Sequence, residues 1–243
     1  IGKYMNVKQF KRASVAFALT LGMMPLLYAA TPVTEDPAWY STISGGVLLN
    51  PRDSDSSVQL SKTPVAITLD GLMRFNGGQV LAATIGKQWH TNEDNTDKEP
   101  KHRRLEVEYW QGRVERSSFD AGVLHAILDD SVHANALFVN ALQRVFSTEK
   151  SRWWLGAGLG YARVRMPGAS SLDTCACLNS AEGNGLAAQV KLIGERLLSE
   201  RTALFLQVGY LQVPGSSTKT PNSSASHEKL LSGNALIGFR IRF

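Results

Sequence analysis

From residue 39 onward, apolar and polar side chains alternate with a period of two through most of the chain. That is the spacing of extended strands with one oily and one polar face. The last run, Ser232 to Phe243, shows it clearly. Ala235, Ile237, Phe239, Ile241 and Phe243 share one face, while Asn234, Gly238, Arg240 and Arg242 share the other, with Leu236 the single apolar residue among them. The clearest internal run covers 153–165, where Trp153, Leu155, Ala157, Leu159 and Tyr161 oppose Gly156, Gly158, Gly160 and Ala162. The same rule predicts strands over 39–50, 79–89, 103–113, 185–198, 202–213 and 230–243. Segment 131–146 alternates less cleanly. Its Ala-rich middle could be helical, but no cap or charge pattern supports that, so it is read as the fourth strand. Residues 65–75 are apolar enough for a strand extension or a separate hairpin arm, and Asn76-Gly77-Gly78 carries a turn signal.

Eight alternating segments of 11 to 16 residues are each long enough for a tilted bilayer-crossing strand, which needs about 9–11. The connections alternate as well. Those at 147–151 and 199–201 are short, and those at 51–76, 117–130, 167–183 and 214–229 are long. Short periplasmic turns and long outer loops have this rhythm. The 90–102 connection departs from it, which implies either a periplasmic insertion or a strand assignment displaced by one hairpin. A backbone in hydrocarbon must satisfy every N–H and C=O, and for strands only a closed barrel does so. The expected fold is therefore all-β, an eight-stranded antiparallel up-and-down transmembrane β-barrel over 31–243. Trp39, Trp89, Tyr109, Trp153, Tyr161, Tyr210 and Phe243 lie near the ends of outward faces, where interfacial girdles belong.

Composition agrees and removes other classes. The chain has 243 residues, 43% hydrophobic and 19% charged. Its mean hydropathy of −0.13 does not suit a bundle of membrane helices. Residues 1–30 form the expected leader: a basic start (Lys8, Lys11, Arg12), an apolar run over 13–27, and Ala29 and Ala30 as a small-residue exit. This is the pattern of a secretory signal peptide, with Met5 the expected initiator. The net charge of +5 is largely the leader's, because without Lys3, Lys8, Lys11 and Arg12 the remainder holds 22 basic against 21 acidic residues. A nucleic-acid partner is not expected of so balanced a chain.

W-W-L-G-A-G-L-G-Y-A-R-V (153–164) and G-F-R-I-R-F (238–243) resemble the eight-stranded outer-membrane barrels of the outer-membrane protein A-like and opacity-porin type. The resemblance implies residence in the outer membrane of a Gram-negative bacterium, among lipid and lipopolysaccharide. It also implies that Phe239, Ile241 and Phe243 form a terminal signal read by the barrel-assembly machinery.

Eight strands leave an interior just wide enough for side chains. The polar face there carries Arg104, Glu106, Glu108, Trp110, Gln189, Lys191, Glu195, Gln207, Arg240 and Arg242. Both signs are present and buried charges need partners. The expectation is an ion-pair network plugging the lumen, with Glu106 and Glu108 meeting Arg240 and Arg242 or Lys191. A charge-lined narrow channel is the alternative. Cys175 and Cys177 fall in the third long loop, where an oxidising periplasm would favour a small, strained bridge. His125, Asp129, Asp130, Ser131 and His133 cluster near the second loop and could supply a nucleophile and base, as a lipid A-modifying enzyme would need. Their spacing matches no catalytic motif. No phosphate loop, zinc-protease motif or paired C-x-x-C is present, so no cofactor or metal is expected. The working surface is then the long loops, suited to adhesion to host or matrix molecules or to envelope integrity.

Overall fold

The computed structural model describes residues 37–53, 56–60, 67–91, 101–121, 124–167, 180–220, 223–227 and 229–243. The leader and the Cys175/Cys177 pair lie outside them. Eleven strands form in chain order: β1 Ala38–Asp53, β2 Ser56–Leu60, β3 Ile67–Thr91, β4 Lys101–Ala121, β5 Leu124–Ser147, β6 Ser151–Met166, β7 Ala181–Leu197, β8 Thr202–Val213, β9 Ser216–Thr220, β10 Ser223–His227 and β11 Leu230–Arg242. Eight of them, β1, β3 to β8 and β11, make the ring. Each is antiparallel to its neighbours, and β1 closes it by pairing with both β3 and β11. The segment around 131–146 is strand throughout.

The registers fix the shape of the cylinder. A row leaving β3 at Trp89 passes through Arg103, Gln143, Leu155, Leu192, Val208, Ala235 and Val47 and returns to β3 at Gln79, ten residues away. With about 3.3 Å per residue and 4.8 Å between strands, a stagger of ten over eight strands gives a tilt of about 40° and a radius of roughly 8 Å. Side chains alone can fill a tube that narrow.

Three expectations change. Asn76-Gly77-Gly78 is not a turn. It lies inside β3, which joins the apolar segment before it to the strand after it, and the β3–β4 register slips between Phe75 and Gly77. Gly77 has φ 107°, so the backbone that a hairpin turn would have used makes a bulge instead. The loop expected over 117–130 is mostly strand, since β4 runs to Ala121 and β5 starts at Leu124. The outer loops at 51–76 and 214–229 contain β2, β9 and β10, which pair with one another and with β3 and β7 as an extension of the sheet. The 90–102 connection does belong with the short turns, because pairing continues from Trp89↔Arg103 to Thr91↔Lys101 at the end of the barrel where Ala38 meets Gln88.

The two faces of each strand differ as alternation requires. On β6, Leu159 is 72% exposed while Trp154 is fully buried. Exposed apolar side chains encircle the ring, which marks a lipid-facing wall. Trp39, Trp89, Phe146, Trp153 and Phe243 sit at its short-turn rim, and Tyr109, Tyr161 and Tyr210 toward the other. Beyond the tyrosines the outward positions become polar: Gln111 and Arg113 on β4, Asn135 on β5, Arg163 on β6 and Gln212 on β8.

Candidate functional site

The lumen has two storeys. Reading β4 from its short-turn end, the inward residues are Arg104, Glu106 and Glu108, then Trp110, Gly112 and Val114; β7 likewise passes from Glu195, Lys191 and Gln189 to Ala187 and Ala181. The storey at the short-turn end is charged, with Leu142, Trp154, Ile193 and Phe205 packed beside the ions; the outer one is mainly apolar, with Ser232 and Asn234 among its buried polar residues and Arg116 further out on β4.

Two ion-pair groups fill the charged storey. In the first, Arg104 donates from Nη1 and Nη2 to the two oxygens of Glu195, at 2.5 and 2.8 Å. Its Nε and Nη2 also donate to Gln88 Oε1 at 3.1 and 3.0 Å. The guanidinium lies 3.6 Å from the Trp154 ring and 5.0 Å from the Tyr40 ring, each within cation–π range. Trp154 Nε1 donates to Glu195 at 3.2 Å. Arg240 Nε stands 3.2 Å from the same carboxylate, at ion-pair distance but outside hydrogen-bond geometry. In the second group, Lys191 Nζ donates to Glu106 at 2.8 Å and to Glu108 at 3.1 Å. Tyr40 Oη donates to the other Glu106 oxygen at 2.6 Å. Asn140 and Gln189 amides donate to Glu108 at 2.8 and 2.6 Å. All these charged side chains are at most 3% exposed. Paired and hydrogen-bonded, they avoid the several kcal/mol that desolvation of an isolated ion costs. Among them a cavity about the size of one water remains, beside Thr42, Ser44 and Thr84.

The outer storey holds Leu48, Val80, Trp110, Val114, Val132, Phe138, Val164, Leu211 and Leu236 in one buried cluster. Leu236, the apolar residue on the polar face of the last strand, belongs here. Glycines at 156, 158 and 160 let the walls approach. A Cβ at Gly160 would run into the Leu137 carbonyl, and one at Gly156 into Leu142.

The sequence-expected residues are thus distributed as follows. Lys191 joins Glu106 and Glu108; Arg104 joins Glu195; Arg240 lies with Glu195 rather than with Glu106 or Glu108. Arg242 is half-buried at the short-turn rim. Phe239, Ile241 and Phe243 point outward along β11. Tyr40, Gln88, Asn140 and Trp154 take part without having been singled out, although their parity on β1, β3, β5 and β6 could have placed them inside. In the loop cluster, Arg116 binds Asp130 through two contacts, Arg113 Nε donates to Ser131 Oγ at 2.9 Å, and His133 faces outward. The side chains of His125 and Asp129 fall outside the described residues.

No protein-family model matches the sequence, and no curated protein does. Solved structures do. The outer membrane protein OprG from Pseudomonas aeruginosa aligns over 87% of this chain and 99% of its own, with 16% identity and a TM-score of 0.51. Neisserial surface protein A aligns over 84% and 97%, with 13% identity and a TM-score of 0.46. Ail, the attachment invasion locus protein of Yersinia pestis, aligns over 84% and 98%, with 14% identity and a TM-score of 0.33. At these identities the likeness concerns the fold. Ring closure and an apolar outer wall agree with it: the chain has the fold of the eight-stranded outer-membrane β-barrels.

Proposed function

We propose that this barrel works from its outer surface as a non-enzymatic, sealed platform for recognition or envelope integrity. The observation that carries the reading is the lumen, in which an apolar layer lies above a paired ionic one. What continues outward is the sheet itself, through upper β3 to β5 and through β2, β9 and β10. Partners of stated kind are host or matrix surface molecules, with the barrel-assembly machinery reading Phe239, Ile241 and Phe243. Export by the leader, residues 1–30, belongs to the same proposal. Against catalysis stand Asp130 and Ser131, each already engaged by an arginine. The charged storey favours a narrow channel as the second reading; the apolar storey opposes it, since the packed layer of Trp110, Val114, Phe138 and Leu236 would strip water from an ion crossing there. The test replaces Ser56–Leu60 and Ser216–His227 by short turns and compares cells bearing either barrel for attachment to host cells and matrix. Attachment lost on trimming supports the platform. Equal attachment by trimmed and full barrels, both confirmed folded, overturns it.

A further inference from the structure

Arg113, His133 and Arg165 are successive partners in one cross-strand row, on β4, β5 and β6, and all three face outward. Arg163 lies one pleat nearer the membrane, opposite Asn135. Like charges side by side on a sheet cost stability. The row is only partly offset from within. At its β7 end Glu182 accepts from Arg163 Nη2 and Arg165 Nε, both at 2.7 Å. Those two bonds hold the Glu182 carboxyl below the usual carboxylate range, so it stays ionised and bridging. Among the described residues, Glu115, opposite Ser131, is the other carboxylate on this face. Three guanidiniums and an imidazole therefore stand against two carboxylates.

Depth decides what can neutralise the excess. Arg163 is two residues past Tyr161 and Arg113 four past Tyr109, which is about 7 and 13 Å along tilted strands. That is headgroup depth, directly over the apolar wall of Leu137, Leu159 and Tyr161. We propose that this rim of β4 to β6 binds the phosphate groups of outer-leaflet lipopolysaccharide, whose acyl chains lie on the wall below. Guanidinium forks match phosphate oxygens two at a time. Arg113 spends only its Nε on Ser131, and its terminal nitrogens meet no partner among the described residues. Continuity with the apolar wall selects a lipid over a free anion.

The test uses the refolded full barrel in neutral detergent, with three probes: lipid A carrying its phosphates, the same lipid A after dephosphorylation, and inorganic phosphate. Retained lipid is read by native mass spectrometry. Wild type is expected to hold the phosphorylated form about tenfold more tightly, a difference of roughly 1.4 kcal/mol. The Arg113→Gln/Arg163→Gln/Arg165→Gln variant loses that preference, while Lys87→Gln near the other rim keeps it. Glu182→Gln strengthens it by releasing two arginines. Equal retention of both lipids by wild type overturns the proposal, as does a folded triple variant that keeps the preference. Millimolar inorganic phosphate displacing the lipid would reduce the rim to an anion site and overturn it too. Should the triple variant not fold, the wild-type comparison and Glu182→Gln still decide.

Discussion

Glu195→Gln is the sharpest perturbation of the lumen. The carboxylate holds Arg104 through both oxygens, takes a bond from Trp154 and faces Arg240 at 3.2 Å. The amide keeps nearly the same volume and one acceptor oxygen but removes the charge between two buried guanidiniums. Breaking a buried pair by removing one partner costs about 3–5 kcal/mol. Because the amide oxygen still accepts from Arg104, the lower end applies, about 3 kcal/mol. With a urea slope of about 1–3 kcal/mol per M, the unfolding midpoint falls by roughly 1–3 M. The assay is urea unfolding of barrels refolded in lipid vesicles, followed by tryptophan fluorescence and unheated gel mobility. Adding Arg104→Gln must recover part of the loss, since the second change removes a charge the first stranded; a coupling of about 1–3 kcal/mol is expected. A midpoint unmoved by Glu195→Gln, or strictly additive losses in the double variant, would refute the ionic group as drawn.

Gly77→Ala should cost about 1–3 kcal/mol through backbone strain alone. At φ 107° an added Cβ would touch only the Leu48 carbonyl, at an ordinary 3.6 Å, so equal urea midpoints for the two proteins would contradict the bulge. Phe243→Ala should refold in vitro within about 0.5 kcal/mol of wild type, because the side chain is exposed. In cells the same variant should reach the outer membrane in reduced amount, measured by fractionation; unchanged amounts would remove Phe243 from the assembly signal.

Alternation alone was enough to orient most of the wall. A side chain's parity decides whether it meets lipid or lumen, so Arg104, Glu106, Glu108, Lys191 and Glu195 could be placed inside without knowing a single contact. Partner choice could not be read the same way. It depends on the ten-residue stagger, which sets Arg240 level with Arg104 and Glu195 and raises Glu108 to the level of Lys191. Stagger is a property of the closed ring and leaves no trace in any one strand. Asn76-Gly77 misled for a local reason. A hairpin turn and a bulge both want φ above zero, and only the partner strand decides between them. The two-storey lumen was half visible, in Leu236 and in the shift on β4 from charge to Trp110 and Val114.

The central claim is that the cylinder is filled from rim to rim. Planar-bilayer recording of the refolded wild-type barrel tests it most directly. The packed ionic and apolar storeys predict a silent membrane at protein levels where insertion is verified. A steady single-channel conductance would contradict them.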